Sequence, residues 1–351
     1  MKSFEKDRIE RQVITQDMLR TVRLLGEFKG REALYRQQFP QALETLRQVA
    51  IVQSTESSNR IEGVTAPPKR IQALVAQKTT PRDRSEQEIA GYRDVLNTIH
   101  ANHPNIPFTT GVVLHLHRDL YKYGETQGGH WKPVDNEIAE VFQDGTRRVR
   151  FQPVPAAATP EFMQRLHTEF GRLWRQGKVE KLLLIPAYVL DFLCVHPFLD
   201  GNGRMARLLS LLLLYQASYQ VGRFISIEAA IEKSRETYYD ALYRSSQGWH
   251  SGKHDLRPWT EYFLGILTAV YHDFEGRVGS LSAARGAKTQ LVLDAIRSLP
   301  DGFRMVELER ACPNVTRDMI RVVINKLKKN GEIFCEGAGA GATWRKRGNN
   351  P

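Results

Sequence analysis

Apolar residues recur every three or four positions along most of the chain, which is the spacing of one buried face of a helix. Residues 3–101 carry several such segments, and strand signals are nearly absent among them. One example is the run 41–59, in which one face carries Leu43, Leu46, Val49 and Ala50. Further helical patterns cover 110–121 and the stretch from Thr159 to about Phe274. The pattern predicts a mainly α-helical fold.

One stretch in the middle of the chain, at about 136–153, has the pattern of strands instead. Residues 137–142 and 146–151 flank Asp144 and Gly145, a pair of residues typical of hairpin turns. We therefore predict a small β-hairpin inside the helical region.

Three more helical segments follow near the carboxyl end, at 289–298, 305–311 and 316–330, and a Gly-rich hairpin ends at Trp344. Three helices followed by a β-ribbon is the order of a winged helix-turn-helix. In the third helix Thr316 is the expected N-cap. The polar face of that helix carries Arg317, Arg321, Asn325 and Lys328. This face could enter a DNA major groove, and a protein contact is the alternative.

A chain of 351 residues suits two or three domains. We predict an amino-terminal helical region at 1–105, a catalytic core at 106–275, and a linker with a winged-helix domain at 276–351. The linker is assigned to 276–287 because that segment is rich in small residues, and a helix that runs through it is the alternative.

The charge of the chain is unevenly distributed. Lys and Arg number 50 against 39 Asp and Glu, a formal net charge of +11, which favours polyanionic partners. From residue 285 onward there are 13 basic and 7 acidic residues, so +6 of the surplus lies in the predicted winged-helix region. Nucleic acid is therefore a partner to test for that region rather than for the whole chain.

The cysteines and the apolar runs indicate a cytoplasmic protein with no membrane partner. Cys194, Cys312 and Cys335 are widely spaced and form no CxxC pair, which argues against a disulfide framework or a cysteine zinc site. The amino terminus lacks a signal-peptide pattern. The longest apolar runs, 182–195 and 208–215, fall short of the roughly 18 residues that span a bilayer.

The segment 196–207, HPFLDGNGRMAR, lies between two apolar helical runs and combines groups suited to phosphate chemistry. Gly201 and Gly203 allow close backbone approach where the second helix begins, and helix N-termini bind phosphate. Arg204 and Arg207 are three residues apart and can bind the same anion. Asp200 is an oxygen ligand of the kind that Mg²⁺ takes together with phosphate oxygens, and His196 is a candidate general base. A single histidine and a single carboxylate do not make a zinc site, and we likewise expect no metal at His115 and His117.

This segment fills every specified position of HPFx(D/E)GNGRxxR and so resembles the signature of Fic-family enzymes. The resemblance implies transfer of AMP from ATP to a Ser, Thr or Tyr hydroxyl of a target protein, with release of pyrophosphate. It makes His196 the base, Asp200 the Mg²⁺ ligand, and Arg204 and Arg207 the contacts of the β and γ phosphates. The remaining expected ATP-binding residues are Gly201, Asn202, Gly203, Met205 and Ala206 in the loop and helix start, with Tyr238 and Tyr239 at the adenine.

Two further segments fit the same family. The hairpin at 136–153 resembles the flap on which relatives dock the target backbone by strand addition. At 129–132, GHWK stands where many relatives carry G-x-(Y/F)-R, so Lys132 replaces an arginine and its role is open.

The segment 58–63, SNRIEG, matches the inhibitory motif (S/T)xxxE(G/N) of Fic proteins. Gly63 is a good residue to end a helix, so Glu62 is expected in its last turn, with Ser58 one turn back. The resemblance implies an ion pair between Glu62 and Arg207. Since one arginine cannot serve a carboxylate and a phosphate at once, this pair predicts autoinhibition.

Several alternatives stay open. Within enzymes they are transfer of another nucleotide, of a phosphoryl or of a phosphocholine group, and removal of AMP from a modified target. From a different class, the chain could be a DNA-binding regulator whose core only senses nucleotide. Self-modification and a homodimer through the core are also compatible with the resemblance.

Overall fold

The computed structural model describes residues 2–141, 146–283, 287–312, 315–337, 339 and 342–347. These residues form mostly helices. The helices are α1 (Gln16–Gln38), α2 (Pro40–Ile61), α3 (Pro68–Val75), α4 (Arg84–Asn102), α5 (Thr110–Leu120), α6 (Thr159–Gln176), α7 (Lys181–Val195), α8 (Asn202–Gln216), α9 (Ile227–Lys233), α10 (Arg235–Ser246), α11 (Arg257–Ala283), α12 (Ala287–Ser298), α13 (Met305–Ala311) and α14 (Arg317–Lys329). The strands are β1 (Ile138–Val141), β2 (Arg147–Phe151), β3 (Phe303–Arg304), β4 (Ile333–Glu336) and β5 (Thr343–Lys346).

One compact unit comprises the residues up to Lys29 together with Leu46–His272. Its centre is α7, which is apolar on all sides and almost entirely buried, as expected of a helix with neighbours all round. α7 packs against α6 and α8, and α4 packs against α5 and α8. The link from α7 to α8 therefore starts and ends in the buried centre of this unit.

The strands β1 and β2 form an antiparallel two-stranded sheet within the same unit. Ala139 pairs with Val149 and Glu140 with Arg148, and the register shifts between Ile138 and Ala139. The predicted hairpin strands are confirmed. The predicted turn at Asp144 and Gly145 lies outside the described residues.

The other unit comprises Gly30–Thr45 and Asp273–Pro351. Its three-stranded antiparallel sheet has the order β3-β5-β4, and α12 packs against α13 and α14. The inner face of α14 buries Ile320, Val323, Ile324 and Leu327. The sequence analysis missed β3, a two-residue strand too short to leave a pattern. The helices and the strands β4 and β5 follow the predicted order, and the winged-helix assignment stays a prediction.

Two local expectations are corrected. The segment assigned to a linker, 276–287, is helical up to Ala283, because α11 continues through its glycines and buries Val278. Thr316 occupies the N-cap position of α14, but its side chain makes no capping hydrogen bond. Residues 338, 340 and 341 of the Gly-rich hairpin lie outside the described residues.

A search of the described helices for a long apolar segment finds none that could cross a bilayer.

Candidate active site

The segment 196–201 connects the end of α7 to the start of α8 through two residues with positive φ. His196 follows the last residue of α7 with φ 51° and ψ 60°, and its N–H still donates to Phe192 O. Gly201 precedes α8 with φ 80°, and a Cβ atom there would lie 2.9 Å from Tyr121 Oη. A left-handed backbone is costly for a non-glycine residue, so the surrounding contacts must hold His196 in place.

The imidazole of His196 is arranged as a neutral base. Nδ1 lies 3.3 Å from Leu193 O. A carbonyl can only accept, so Nδ1 carries the proton and Nε2 keeps its lone pair. Burial, reinforced by the charge of Lys132, lowers the pKa of His196 to about 4. The ring is therefore unprotonated at neutral pH and able to take a proton.

Asn202 and Asn136 fix the path of this loop. Asn202 Oδ1 accepts from Phe198 N at 3.0 Å and its Nδ2 donates to Phe198 O at 2.7 Å. Asn136 Nδ2 donates to Phe198 O at 2.9 Å and to His196 O at 3.3 Å. The side chain of Asn202 is thus used inside the loop, and only its backbone is left for a bound phosphate.

Lys132, whose role the sequence left open, holds the start of the loop. It is buried, its Nζ donates to Asn136 Oδ1 at 2.7 Å and to Val195 O at 3.1 Å, and its N–H donates to Pro197 O at 2.8 Å. Burial lowers the pKa of Lys132 to about 8. An ammonium at a terminal carbonyl also stabilises the negative end of the α7 dipole.

His117 is a part of the site that was not predicted from the sequence. Its ring stacks on Phe198 with centroids 3.6 Å apart, Nε2 lies 3.1 Å from Asp200 O, and Nδ1 accepts from Gly129 N at 3.0 Å. Burial lowers the pKa of His117 to about 4, so the ring stays neutral. Both ring nitrogens are used inside the protein, and the only available sequence signal was its position on the buried face of α5.

Arg204 is enclosed by the protein, with 1 % of its side chain exposed. Its Nη1 donates to Glu88 Oε2 at 2.6 Å and its Nη2 to Tyr121 Oη at 2.8 Å. The geometry therefore joins Arg204 to α4 and α5 rather than directing its guanidinium to an open surface. The pairing with Glu88 was not predicted.

The side chain of Arg207, on α8, contacts the carboxyl end of α2 and forms three hydrogen bonds there. Its Nη2 donates to Glu62 Oε1 and to Ser58 O, and its Nε donates to Ser58 Oγ, each at 2.8 Å. α2 ends at Ile61, and Gly63 has φ 82°, as expected of the residue that ends a helix. The structure thus brings Ser58, Glu62 and Arg207 together.

Glu62 also covers the first turn of α8. A Cβ atom on Gly203 would overlap Glu62 Oε1 and lie 3.3 Å from Arg207 Nη1. The carboxylate therefore occupies space directly over Gly203, where the backbone N–H groups of a helix start attract anions.

Asp200 is the exposed acidic group of the loop, with 54 % of its side chain accessible. Its Oδ1 accepts from Gly201 N at 2.6 Å, and Oδ2 lies 3.6 Å from Arg84 Nη2 and 3.7 Å from Arg204 Nη2. Within the described residues no three His, Cys, Asp or Glu side chains group as a metal cluster. One accessible carboxylate fits Mg²⁺ that completes its shell with phosphate oxygens and water, and does not fit zinc.

The other expected nucleotide-binding residues differ in exposure. Met205 and Ala206 are buried in the first turns of α8, so they contribute backbone only. Tyr238 is buried and lines, with Arg207, an internal cavity of about 30 Å³, whereas Tyr239 is 42 % exposed. Of the two tyrosines, Tyr239 offers the accessible ring.

The hairpin of β1 and β2 has free backbone edges. Among the described residues its two strands pair only with each other. Its base is held by Gln152 Nε2, which donates to Asn136 O at 3.1 Å, and by Phe151, whose ring stacks on His250 with centroids 5.3 Å apart. The base is thus tied to the same Asn136 that fixes the loop.

The residues proposed to contact DNA lie on the exposed face of α14, but acidic neighbours partly neutralise them. Arg317 forms an ion pair with Glu309 at 2.8 Å, and Arg321 lies 3.8 Å from Asp318. Asn325 is exposed and Lys328 Nζ lies 6.0 Å from the centre of the Trp344 ring. This arrangement gives no uniform row of free cations for phosphates.

Solved structures of Fic proteins share this fold. A Fic family protein from Desulfovibrio desulfuricans matches with a TM-score of 0.62 and 20% identity over 97% of this chain and 98% of its own. A Fic domain containing signaling protein from Bacteroides thetaiotaomicron matches with a TM-score of 0.61 and 19% identity over 74% of this chain and 98% of its own. Fic-1 from C. elegans matches with a TM-score of 0.56 and 18% identity over 75% of this chain and 73% of the solved fragment.

The model of the Fic/DOC family matches residues 107–214, which run from the start of α5 to near the end of α8. This range contains the hairpin, His196, the loop and both arginines. Domains of this kind are generally nucleotidyl or phosphoryl transferases. The sequence match, the helical fold and the loop geometry agree, and the chain carries a Fic/DOC-family domain.

Proposed function

We infer that this protein transfers AMP from ATP to a hydroxyl group of a target protein and that Glu62 restrains the reaction. The observation that carries the proposal is the juxtaposition of a neutral His196, an α8 start suited to phosphate, and a carboxylate that covers this start through Arg207. Each of these features has a separate role in the reaction.

His196 acts as the general base. The target hydroxyl oxygen bonds to the α-phosphorus, and its proton passes to His196 Nε2. The bond from the α-phosphorus to the oxygen that bridges to the β-phosphorus breaks, and pyrophosphate leaves. The bond from Nδ1 to Leu193 O keeps the acceptor nitrogen in one tautomer, which is what a base in a fixed position requires.

The start of α8 and Arg207 hold the phosphates. Backbone N–H groups near Gly203 and the positive end of the α8 dipole stabilise negative charge on the transferred group. Asp200 would hold Mg²⁺, which supplies charge neutralisation on the phosphate oxygens when it is bound. The target segment would add as a strand to a free edge of the hairpin, which places its hydroxyl without strict sequence rules.

Glu62 restrains this reaction by occupying Arg207. While the carboxylate accepts from Nη2, a triphosphate cannot take the same donor, and its outer phosphates meet the negative charge over Gly203. Displacing Glu62 therefore frees a guanidinium and a helix start together.

The test uses ATP labelled at the α-phosphate, Mg²⁺ and a cell lysate. The wild type is compared with Glu62→Gly and His196→Ala, and Glu10→Gly serves as the control for a glycine at an exposed turn glutamate. We expect protein labelling, self-modification included, to be strongest in Glu62→Gly and absent in His196→Ala.

Other outcomes decide between the alternatives. Absence of α-label in Glu62→Gly contradicts AMP transfer, and label from the γ-phosphate alone identifies phosphoryl transfer. Label that forms and then disappears from the wild type but persists in Glu62→Gly identifies AMP removal. A salt-dependent gel shift that requires the residues after 285 would support the DNA-binding regulator.

A further inference from the structure

Arg84, the first residue of α4, lies beside the loop and outside the family signature. Its Nε donates to Glu88 Oε1 at 2.8 Å, and its Nη2 lies 3.6 Å from Asp200 Oδ2. The second distance is that of an ion pair and too long for a hydrogen bond. With 76 % of the side chain exposed, the Nη groups of Arg84 remain open to a ligand at Asp200.

The two signature arginines differ from Arg84 in this respect. Arg204 is 1 % exposed and bonded to Glu88 and Tyr121, and the side chain of Arg207 is 3 % exposed. The displacement of Glu62 frees part of Arg207. Arg204 has no such displaceable side chain over it, because several elements of the fold enclose it. Of the two described arginines that lie beside Asp200, Arg84 is thus the one whose guanidinium is accessible to the outer phosphates of a triphosphate at this loop.

We propose that Arg84 is a phosphate-binding residue of this site and contacts the β- or γ-phosphate of a nucleoside triphosphate held with Mg²⁺ at Asp200. The proposal rests on the proposed function. In this proposal Arg84 makes the phosphate contact that the sequence predicted for Arg204. Arg204 remains the buried ion-pair partner of Glu88.

The charges around Asp200 explain how Arg84 changes partner. In the structure Arg84 and Asp200 partly neutralise each other through an exposed pair of long separation, which contributes little stability. With Mg²⁺ held at Asp200, this carboxylate would no longer neutralise Arg84. Glu88 keeps hold of Nε, so the Nη donors would be free to bind a phosphate at the loop.

The contact also predicts which ligands Arg84 distinguishes. A guanidinium next to Asp200 contacts the outer phosphates and leaves the α-phosphate to the start of α8. Arg84 should therefore strengthen binding of ATP and leave the binding of AMP unchanged.

The experiment measures binding by titration calorimetry in full-length protein carrying Glu62→Gly and His196→Ala, so that the site is open and no transfer occurs. Mg²⁺ with ATP and, separately, AMP are the ligands. Adding Arg84→Gln should raise the Kd for Mg²⁺ and ATP about tenfold to a hundredfold, the range for charged hydrogen bonds, with no change for AMP. Arg84→Lys keeps the charge but loses the planar fork of the guanidinium. Its Kd for Mg²⁺ and ATP should therefore lie between that of the parent double variant and that of Arg84→Gln.

The matched control is Arg82→Gln, since Arg82 is an exposed arginine two residues away whose backbone N–H, and not its side chain, bonds to Glu86. Failure of the parent double variant to bind Mg²⁺ and ATP contradicts the proposed function itself. Binding by the parent with equal affinity in Arg84→Gln overturns the role of Arg84 alone. Equal weakening of ATP and AMP, or the same loss in Arg82→Gln, also overturns it, because either points to a general disturbance.

Discussion

Two arginine–carboxylate pairs flank the loop, and they differ in the exposure of the carboxylate to solvent. Arg204 bonds to Glu88 and Arg207 bonds to Glu62 at similar distances, 2.6 Å and 2.8 Å. The Glu88 side chain is 7 % exposed, however, and that of Glu62 is 31 % exposed. Separation of Arg204 from Glu88 would leave a charge buried without a partner. In the second pair, Arg207 can bind another anion while the Glu62 carboxylate moves into solvent.

The position of each glutamate along its helix explains this difference. Glu88 lies within α4 and bonds both Arg84 and Arg204, so it is held by the helix and by two partners. Glu62 lies just beyond the last residue of α2 and is followed by Gly63 in a left-handed conformation. A change of backbone at Glu62 therefore disturbs few helical hydrogen bonds. One pair is fixed in the fold, and the other is the pair that we propose restrains the reaction.

The largest expected effect comes from breaking the buried pair. Glu88→Ala leaves Arg204 without its carboxylate and should lower the free energy of unfolding by about 3–5 kcal/mol. The same substitution at Glu62 should cost less, because the Glu62 carboxylate is partly solvated and Arg207 keeps its two bonds to Ser58. Urea denaturation followed by circular dichroism measures both. Equal losses would show that the two pairs do not differ as their burial indicates.

The second-largest effect concerns the affinity for Mg²⁺ and ATP. Here the substitution of Glu62 should have the larger effect, and that of Glu88 the smaller. In a His196→Ala background, Glu62→Gly should tighten the binding of Mg²⁺ and ATP about tenfold to a hundredfold, since Arg207 is released from a charged hydrogen bond. Glu88→Gln keeps the shape of the buried side chain and should not tighten binding. Calorimetric titration of the two variants provides the comparison, and a tighter Kd in Glu88→Gln would remove the distinction.

A smaller effect should come from the support of the regulatory pair. Arg60 in the last turn of α2 forms an ion pair with Glu232 at 3.0 Å and another with Glu56. Arg60→Ala should loosen the end of α2 and raise the basal transfer rate by up to about fivefold, the range for exposed pairs. The assay is α-label transfer by otherwise wild-type protein. Arg60→Ala in the Glu62→Gly background is the control, and it should change nothing because the restraint is already absent.

The smallest effect concerns pH. The pKa of His196 is about 4, compared with 6.5 for an ordinary histidine, so lowering the pH from 7.5 to 5.5 should protonate under a tenth of this ring. The unfolded state binds the proton more readily, so the contribution of His196 to stability is constant above pH 6.5 and decreases as the pH falls from 6.5 toward 4. The C2 proton resonance of His196, assigned with His196→Ala, measures the midpoint. The charge of Glu62 raises this pKa, so Glu62→Gln should lower the midpoint while Glu88→Gln leaves it unchanged.

The parts of the fold that follow local rules were predictable from the sequence. The apolar runs at 182–195 and 208–219 correspond to α7 and α8, and the alternation at 137–151 corresponds to β1 and β2. The signature at 196–207 identified the loop and His196 because all its residues are adjacent in sequence. The helix that continues to Ala283 was missed because glycines lower helix propensity without preventing a helix.

Contacts between segments that are distant in sequence could not be predicted from such local patterns. Glu88 and Arg204 are 116 residues apart, and Glu88 occurs in a polar stretch of α4 with nothing to mark it as buried. The place of Glu62 beside Arg207 came from the family motif and not from spacing. His117 lacked a second ligand in its neighbourhood and so offered no chemistry to predict, although its two ring bonds hold the loop.

Under the proposed function, the position of Glu62 over Gly203 makes the carboxylate a competitor that is attached to its own binding site. A tethered ligand has an effective local concentration set by the length of its tether, and mixing more protein or diluting the sample leaves that concentration unchanged. The apparent affinity for nucleotide is then the intrinsic affinity multiplied by the fraction of molecules in which Glu62 is displaced. Any partner that binds the end of α2 in its displaced form would raise that fraction, and the protein would respond to the partner as though its supply of ATP had increased.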